Sequence, residues 1–191
     1  MQAHLEKILA LVQRLDAEAA AALDHASFES SYKKGDYLLR QGEVCRSSYI
    51  IKTGIARKFY LNDGKEITTE LFFENDIAVV FESYSTQQPG REFIQALTDI
   101  EVVQTNYEVF QTIKQQFAQL AQLDLLLTEY HAMWLEQRLF QFHTMDASAR
   151  YTLLLREHPH IIQQVPLTIV ASYLGISLET LSRIRAKLPL L

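Results

Sequence analysis

Ser177, Glu179, Thr180, Arg183, Arg185 and Lys187 crowd the stretch GISLETLSRIRAKL near the end of the chain. On a helix that starts after Ser177, the unpaired N–H groups of the first turn and the positive dipole end form a ready anion site. The hydroxyls of Ser177 and Thr180 can join them on a phosphate. Glu179 can accept from a cytosine amino group, and Arg183, one turn on, can fork onto guanine. Arg185 and Lys187 would sit near backbone phosphates, and Leu178 completes the outward start of the helix. By spacing alone, the same pattern equally describes a solvated face on a structural helix pair.

Two helices must position these groups. Pro166-Leu167-Thr168 opens the first, with either Pro166 in its first turn or Thr168 as its cap. IVASYLG follows, and Gly175 can take the left-handed conformation that ends a helix. Ser177 then caps LETLSRIRAKL. Two short helices joined at a glycine turn make a helix-turn-helix, with Ala171, Leu174, Ile176, Leu181 and Ile184 packed between them. Thr168 joins the outward polar set.

Charge is distributed to match. Residues 148–191 carry Arg150, Arg156, Arg183, Arg185 and Lys187 against Glu157 and Glu179, a balance of +3. The chain as a whole sums to −5, so the other 147 residues sum to −8. A basic end on an acidic body suits a localised phosphate-binding surface. A single cysteine, Cys45, excludes an intrachain disulfide framework and a four-thiolate cluster. It fits a reduced, cytoplasmic setting and reads as a small residue in a turn. No apolar run approaches a membrane span. The N-terminal MQAHLEKILALVQRLDAEAAAAL interleaves charges with apolar residues, as a soluble helix does and a signal peptide does not.

The body of the chain divides by period. Residues 3–23 read as one amphipathic helix on Leu5, Ile8, Leu9, Val12 and Leu15. From 27 to 105, β-branched and aromatic alternation punctuated by glycines indicates an antiparallel sandwich or barrel, with a hairpin at Asn62-Asp63-Gly64. From 107 to 144 the period is helical again. The long helix there is apolar nearly all round, and this asks for cover on more than one side. Leu123, Leu126, Leu127, Tyr130, Met133 and Trp134 are the candidate dimer interface, since a second copy is the simplest partner. Asp146 reads as an N-cap for ASARYTLLLREH, His158-Pro159-His160 as a solvated loop, and HIIQQV as an extended bridge.

This order of elements resembles the CRP/FNR family of bacterial transcription regulators over nearly the whole chain. KKGDYLLRQGEVCRSSYIIKTGIARKFY is similar to the family's cyclic-nucleotide-binding fold, with Gly35, Gly42 and Gly54 where turn glycines are expected. Asp146 with Arg150 is similar to its hinge, and SYLGISLETLSRIRAKL to its helix-turn-helix signature. The resemblance implies an α+β fold. An N-terminal helix and jelly-roll-like β-roll would span 1–117, a dimerisation helix 118–145 and a helix-turn-helix domain 146–191. Glu179, Thr180 and Arg183 then fall on base- and phosphate-contacting positions.

The chain departs from the family at its pocket. Members that bind cyclic AMP carry a Gly-Glu pair for the ribose and an Arg followed by a small hydroxyl residue for the phosphate. Here Asn75-Asp76-Ile77-Ala78-Val79 holds no Gly-Glu, and Arg91 is followed by Glu92, a poor host for a phosphate. The purine positions of the long helix read as Leu135 and Glu136. The candidate effector pocket is therefore Val79, Val80, Glu82, Ser83, Arg91, Phe93, Leu135 and Glu136, degenerate for cyclic AMP and with its effector open. Heme and iron–sulfur sensing are not expected, and neither is a metal or other cofactor. Many members also continue into a β-hairpin wing. Its absence before Leu191 would weaken phosphate attraction and flatten the salt slope, leaving dimerisation on two half-sites to compensate.

The expected function is a homodimeric, sequence-specific DNA-binding regulator on a near-palindromic duplex. RNA polymerase and a small-molecule effector are further candidate partners, and no membrane is involved. The competing reading is a small-molecule sensor whose C-terminal module docks a protein. An enzyme is not expected, because no nucleophile–base–orienter set, phosphate loop or metal pair stands in the sequence.

Overall fold

The computed structural model describes residues 2–187. Leu188, the last residue of the expected recognition helix, and the wing position beyond it lie outside the described residues. In chain order the elements are α1 (Gln2–Gln13), α2 (Ala17–His25), β1 (Ser27–Tyr32), β2 (Tyr37–Leu39), β3 (Ser47–Thr53), β4 (Ala56–Asn62), β5 (Lys65–Phe72) and β6 (Ile77–Ala78). There follow α3 (Phe81–Thr86), β7 (Glu92–Ala96), β8 (Ile100–Asn106), α4 (Tyr107–Gln116) and α5 (Ala118–Thr144). The chain continues through α6 (Ala147–Glu157), α7 (Ile161–Gln164), α8 (Leu167–Leu174) and α9 (Leu178–Lys187). They form two compact units. One runs to Phe28 and resumes over Thr105–Met145; the other holds Glu29–Gln104 with the chain from Asp146 on.

The helical unit is built on α1, α2, α4 and α5. The single helix expected over 3–23 is two helices. Asp16 interrupts it, because its carboxylate accepts the Ala19 N–H at 2.7 Å and so starts α2 afresh. Ile8, Ala19, Phe110, Ile113, Leu120 and Leu123 bury together, with Leu126, Leu127 and Tyr130 packed against them. His4 Nε2 bonds the Leu126 carbonyl at 3.0 Å and fastens α1 to α5.

The second unit contains two four-stranded sheets, ordered β1-β8-β3-β6 and β2-β7-β4-β5. Its main core includes Ile51, Ala56, Phe72, Val80, Ile94, Ala96 and Val102. The β4–β5 hairpin closes with Asn62 opposite Lys65, so Asp63-Gly64 is a two-residue turn. Both have positive φ, 49° and 75°, as that turn's right-handed twist requires. Gly54 (φ 86°) is fixed by space as well, for a Cβ there would lie 2.3 Å from the Asp99 carbonyl oxygen.

The C-terminal helices belong to the same unit as the sheets. Ile55, Leu71 and Leu97 share a core with Tyr151, Leu154, Ile161, Val170, Ala171, Leu174, Leu181 and Ile184. Two expectations are corrected here. HIIQQV is not extended: α7 makes one helical turn, and Ile161 and Val165 are drawn into the core. His158 is not a solvated loop residue, because its ring stacks on Phe73 at 3.4 Å between centroids, 10° apart. Burial holds its imidazole below the ordinary pKa.

Candidate nucleic-acid interface and β-roll interior

The helix-turn-helix is assembled by local signals. Asp146 caps α6, accepting the Ala149 N–H at 2.8 Å. Pro166 occupies the N-cap position of α8, so Thr168 lies inside the first turn, exposed and without a capping role. Gly175 ends α8 with φ 67°. Its N–H bonds Ser172 O, and the Ile176 N–H reaches back to Ala171 O at 3.0 Å. Ser177 Oγ accepts the Thr180 N–H at 3.1 Å and also meets Thr180 Oγ1 at 3.0 Å. These two hydroxyls therefore start α9 and are engaged with each other. Arg150 Nη2 donates to Leu174 O at 3.1 Å and ties α6 to the negative end of α8.

Ala171, Leu174, Leu181 and Ile184 are buried between the helices, as the sequence pattern requires. The opposite face of α9 is open: Ser177, Leu178, Glu179, Arg183 and Lys187 are exposed, while Thr180 and Arg185 are half-buried. Glu179 and Arg183 stand one turn apart on that face. The arrangement offers a fork and a carboxylate acceptor above a capped helix N-terminus.

On α5 the apolar residues split into two faces. Leu123 is buried in its own unit, and Leu126, Leu127 and Tyr130 pack on the same cluster, so four of the six candidate interface residues serve the intrachain core. Met133 and Trp134 are half-buried, and Trp134 stacks on His131. The exposed face is instead Leu125, Thr128, Ala132, Leu135, Leu139 and Phe142. Their spacing alternates three and four residues, the a/d pattern of a coiled-coil seam. Leu139 is 60 % exposed.

The proposed effector residues do not form one ligand-ready set. Val79, Val80 and Ser83 are buried, whereas Glu82 and Arg91 are exposed. Ser83 Oγ accepts the Cys45 N–H at 2.9 Å and donates to Gln88 O at 2.5 Å, so its hydroxyl is committed to holding α3. Phe93 alternates with core residues Ile94 and Ala96 and stacks on Phe59 at 4.7 Å, on the opposite side of the sheet. Leu135 and Glu136 lie exposed on α5, in the helical unit. Cys45 is fully buried; burial raises its thiol pKa, and Sγ bonds Ser47 O. It is a packing residue in this unit.

Sequence reasoning missed an ion pair inside the sheet. Lys58 stands opposite Glu70 on one side and Ile94 on the other, on the face that carries Ala56, Phe72 and Ala96 into the core. The Lys58 ammonium and Glu70 carboxylate pair directly, each side chain only 7 % exposed. Glu92 is half-buried near them. Burial raises its carboxyl pKa against the pull of Lys58, and Glu70 pushes it the same way as burial. The signal was present as Lys58 and Glu70 on the strand face that also carries Ala56 and Phe72. Among the described residues no group of three or more His, Cys, Asp or Glu is placed to hold a metal ion. No helix among them is long and apolar enough to cross a membrane.

The cyclic nucleotide-binding domain family matches residues 29–117. No curated protein matches the sequence. Solved structures share the fold of this domain together with the helices that follow it. FixK2 from Bradyrhizobium japonicum has 20 % identity and a TM-score of 0.73, over 84 % of this chain and 83 % of its own. A protein from Eubacterium rectale, described as a transcriptional regulator of the crp/fnr family, has 21 % identity and a TM-score of 0.72, over 91 % and 83 %. The catabolite activator protein of Thermus thermophilus has 22 % identity and a TM-score of 0.54, over 92 % and 84 %. The likeness to these structures is one of fold.

Proposed function

We propose that the protein is a cytoplasmic, non-enzymatic, sequence-specific DNA-binding regulator of the CRP/FNR type, acting as a homodimer. The observation that carries this reading is the open face of α9, with Glu179, Arg183 and Lys187 exposed beyond a Ser177 cap and a buried seam beneath. Phosphates meet the helix N-terminus and Lys187, and Arg183 reads a base edge in the major groove. Paired seams on α5 hold two recognition helices for half-sites about 34 Å apart. The β-roll does not take cyclic AMP. Ser83 has its hydroxyl engaged, Arg91 faces solvent, and Lys58 with Glu70 fills the layer where the sheet turns inward.

The test is a selection from random duplexes with the full chain, repeated at two salt concentrations. A defined, two-fold-related motif with salt-sensitive affinity supports the reading. Absence of binding at low salt overturns it and favours a module that docks protein. Calorimetry with cyclic AMP should show no heat of binding.

A further inference from the structure

β5 is the edge strand of its sheet, so its outer backbone groups have no strand partner. One side chain satisfies two of them. Ser172 Oγ, from the middle of α8, accepts the Thr68 N–H at 2.9 Å and donates to the Glu66 carbonyl at 3.1 Å. The hydroxyl thus takes the place of a neighbouring strand for one step of the ladder. Glu66 is held at its other end too, where its carboxylate accepts from Arg57 Nη2 at 2.6 Å. Thr68 is buried, and its own Oγ1 has no hydrogen-bond partner. Leu71, further along β5, shares a core with Val170, Ala171 and Leu174 of α8.

The geometry points to Ser172 as a positioning residue for DNA recognition: its hydroxyl latches α8 onto the edge of β5 and so fixes where α9 is presented. This rests on the DNA-binding reading above. Apolar packing through Leu71 holds α8 against the sheet but permits sliding, since it is non-directional. A paired acceptor and donor two residues apart on an edge strand permits one register. α8 and α9 move together, because Ala171, Leu174, Leu181 and Ile184 are packed between them and Gly175 closes the turn. Ser172 reaches no base in this scheme; it acts through the helix it stands on.

The latch also lies close to the β-roll interior. Glu70, paired with Lys58 on the inner face, is two residues from Thr68. Between them the β4–β5 register shifts, and Thr69 Oγ1 donates to Lys58 O at 3.2 Å. A strand that touches the buried pair on one face and α8 at its edge joins the two regions by three residues.

The experiment is amide exchange by NMR on the full chain, with DNA titrations on the same samples. Ser172→Ala should speed exchange of the Thr68 amide about tenfold, the size expected for loss of one hydrogen bond. The amides of Ile94 and Val102 in the sheets should be unchanged. Ser172→Thr, which keeps the hydroxyl, should restore Thr68 protection. Ser172→Ala should also lower the ratio of specific to non-specific DNA affinity about tenfold, with recovery in Ser172→Thr. Unchanged Thr68 exchange in Ser172→Ala overturns the latch, and so does uniform acceleration of all amides. Faster exchange with an unchanged specificity ratio overturns the positioning role. A wild-type chain that binds no DNA fails the DNA-binding reading, and with it the role in recognition, while the exchange data still report on the latch itself.

Discussion

Lys58 and Glu70 face each other across β4 and β5 on the inner face of the sheet, an ion pair on the face that also carries Ala56, Phe72, Ile94 and Ala96. A buried pair of this kind adds little net stability, yet removing one partner strands a charge. Lys58→Met should therefore cost about 3–5 kcal/mol in urea unfolding. Lys58→Met with Glu70→Leu should return stability to within ~1–2 kcal/mol of wild type, or exceed it. A double variant as unstable as the single one would mean that the pair does more than satisfy itself.

Arg183 is exposed on α9, one turn beyond Glu179. Arg183→Ala should weaken specific binding by about 1–3 kcal/mol and relax one base position in a selected motif. Lys187→Ala should weaken binding to all duplexes alike and reduce the salt slope by about one. An unchanged base preference in Arg183→Ala removes the guanine-reading role.

The helix-turn-helix was legible because its signals are local. Asp146, Gly175 and Ser177 each act on backbone groups within five residues, so residue type and spacing nearly determine the result. The Asp63-Gly64 turn was legible for the same reason. Choosing which apolar residues of α5 face outward was not local. Leu123 is buried, and Leu126 and Leu127 are partly buried, in a cluster that includes Ile8 of α1 and Ala19 of α2, elements far away in sequence. The exposed seam holds Thr128 and Ala132 at two of its six positions, and hydropathy alone passes over it. Phe93 stands among the candidate pocket residues, yet the alternation of β7 has two possible phases. The register with β4 decides between them and is not written in either strand.

His158 gives the folded state a pH dependence. Its pKa is lowered by burial against Phe73, so below the unfolded value of about 6.5 the unfolded chain binds more protons. Its contribution is fully present above that pH and is lost as pH falls through the lowered folded value. Asp76, whose carboxyl burial pushes up to about 6, acts in the opposite direction over the same range. His158→Phe, which keeps a stacked ring and removes the titration, should therefore gain melting temperature relative to wild type as pH falls from 7.5 to 5. Parallel curves for the two proteins would remove His158 as a source of the slope.

The seam on α5 makes a separate prediction about assembly. Leu139 is exposed and belongs to the Leu125–Phe142 heptad run, on the side of the helix away from the intrachain cluster around Leu123. A carboxylate there meets its own copy across a paired seam, where like charges and lost apolar area both oppose association. Leu139→Glu should convert a dimer to a monomer in sedimentation velocity while its helical circular dichroism stays unchanged, because the side chain is mostly exposed within one chain. Leu123→Glu should instead unfold the helical unit. Affinity for a two-half-site duplex should fall about 10²–10⁴-fold in Leu139→Glu, as each helix-turn-helix must then bind alone. A Leu139→Glu protein that remains dimeric places the interface elsewhere.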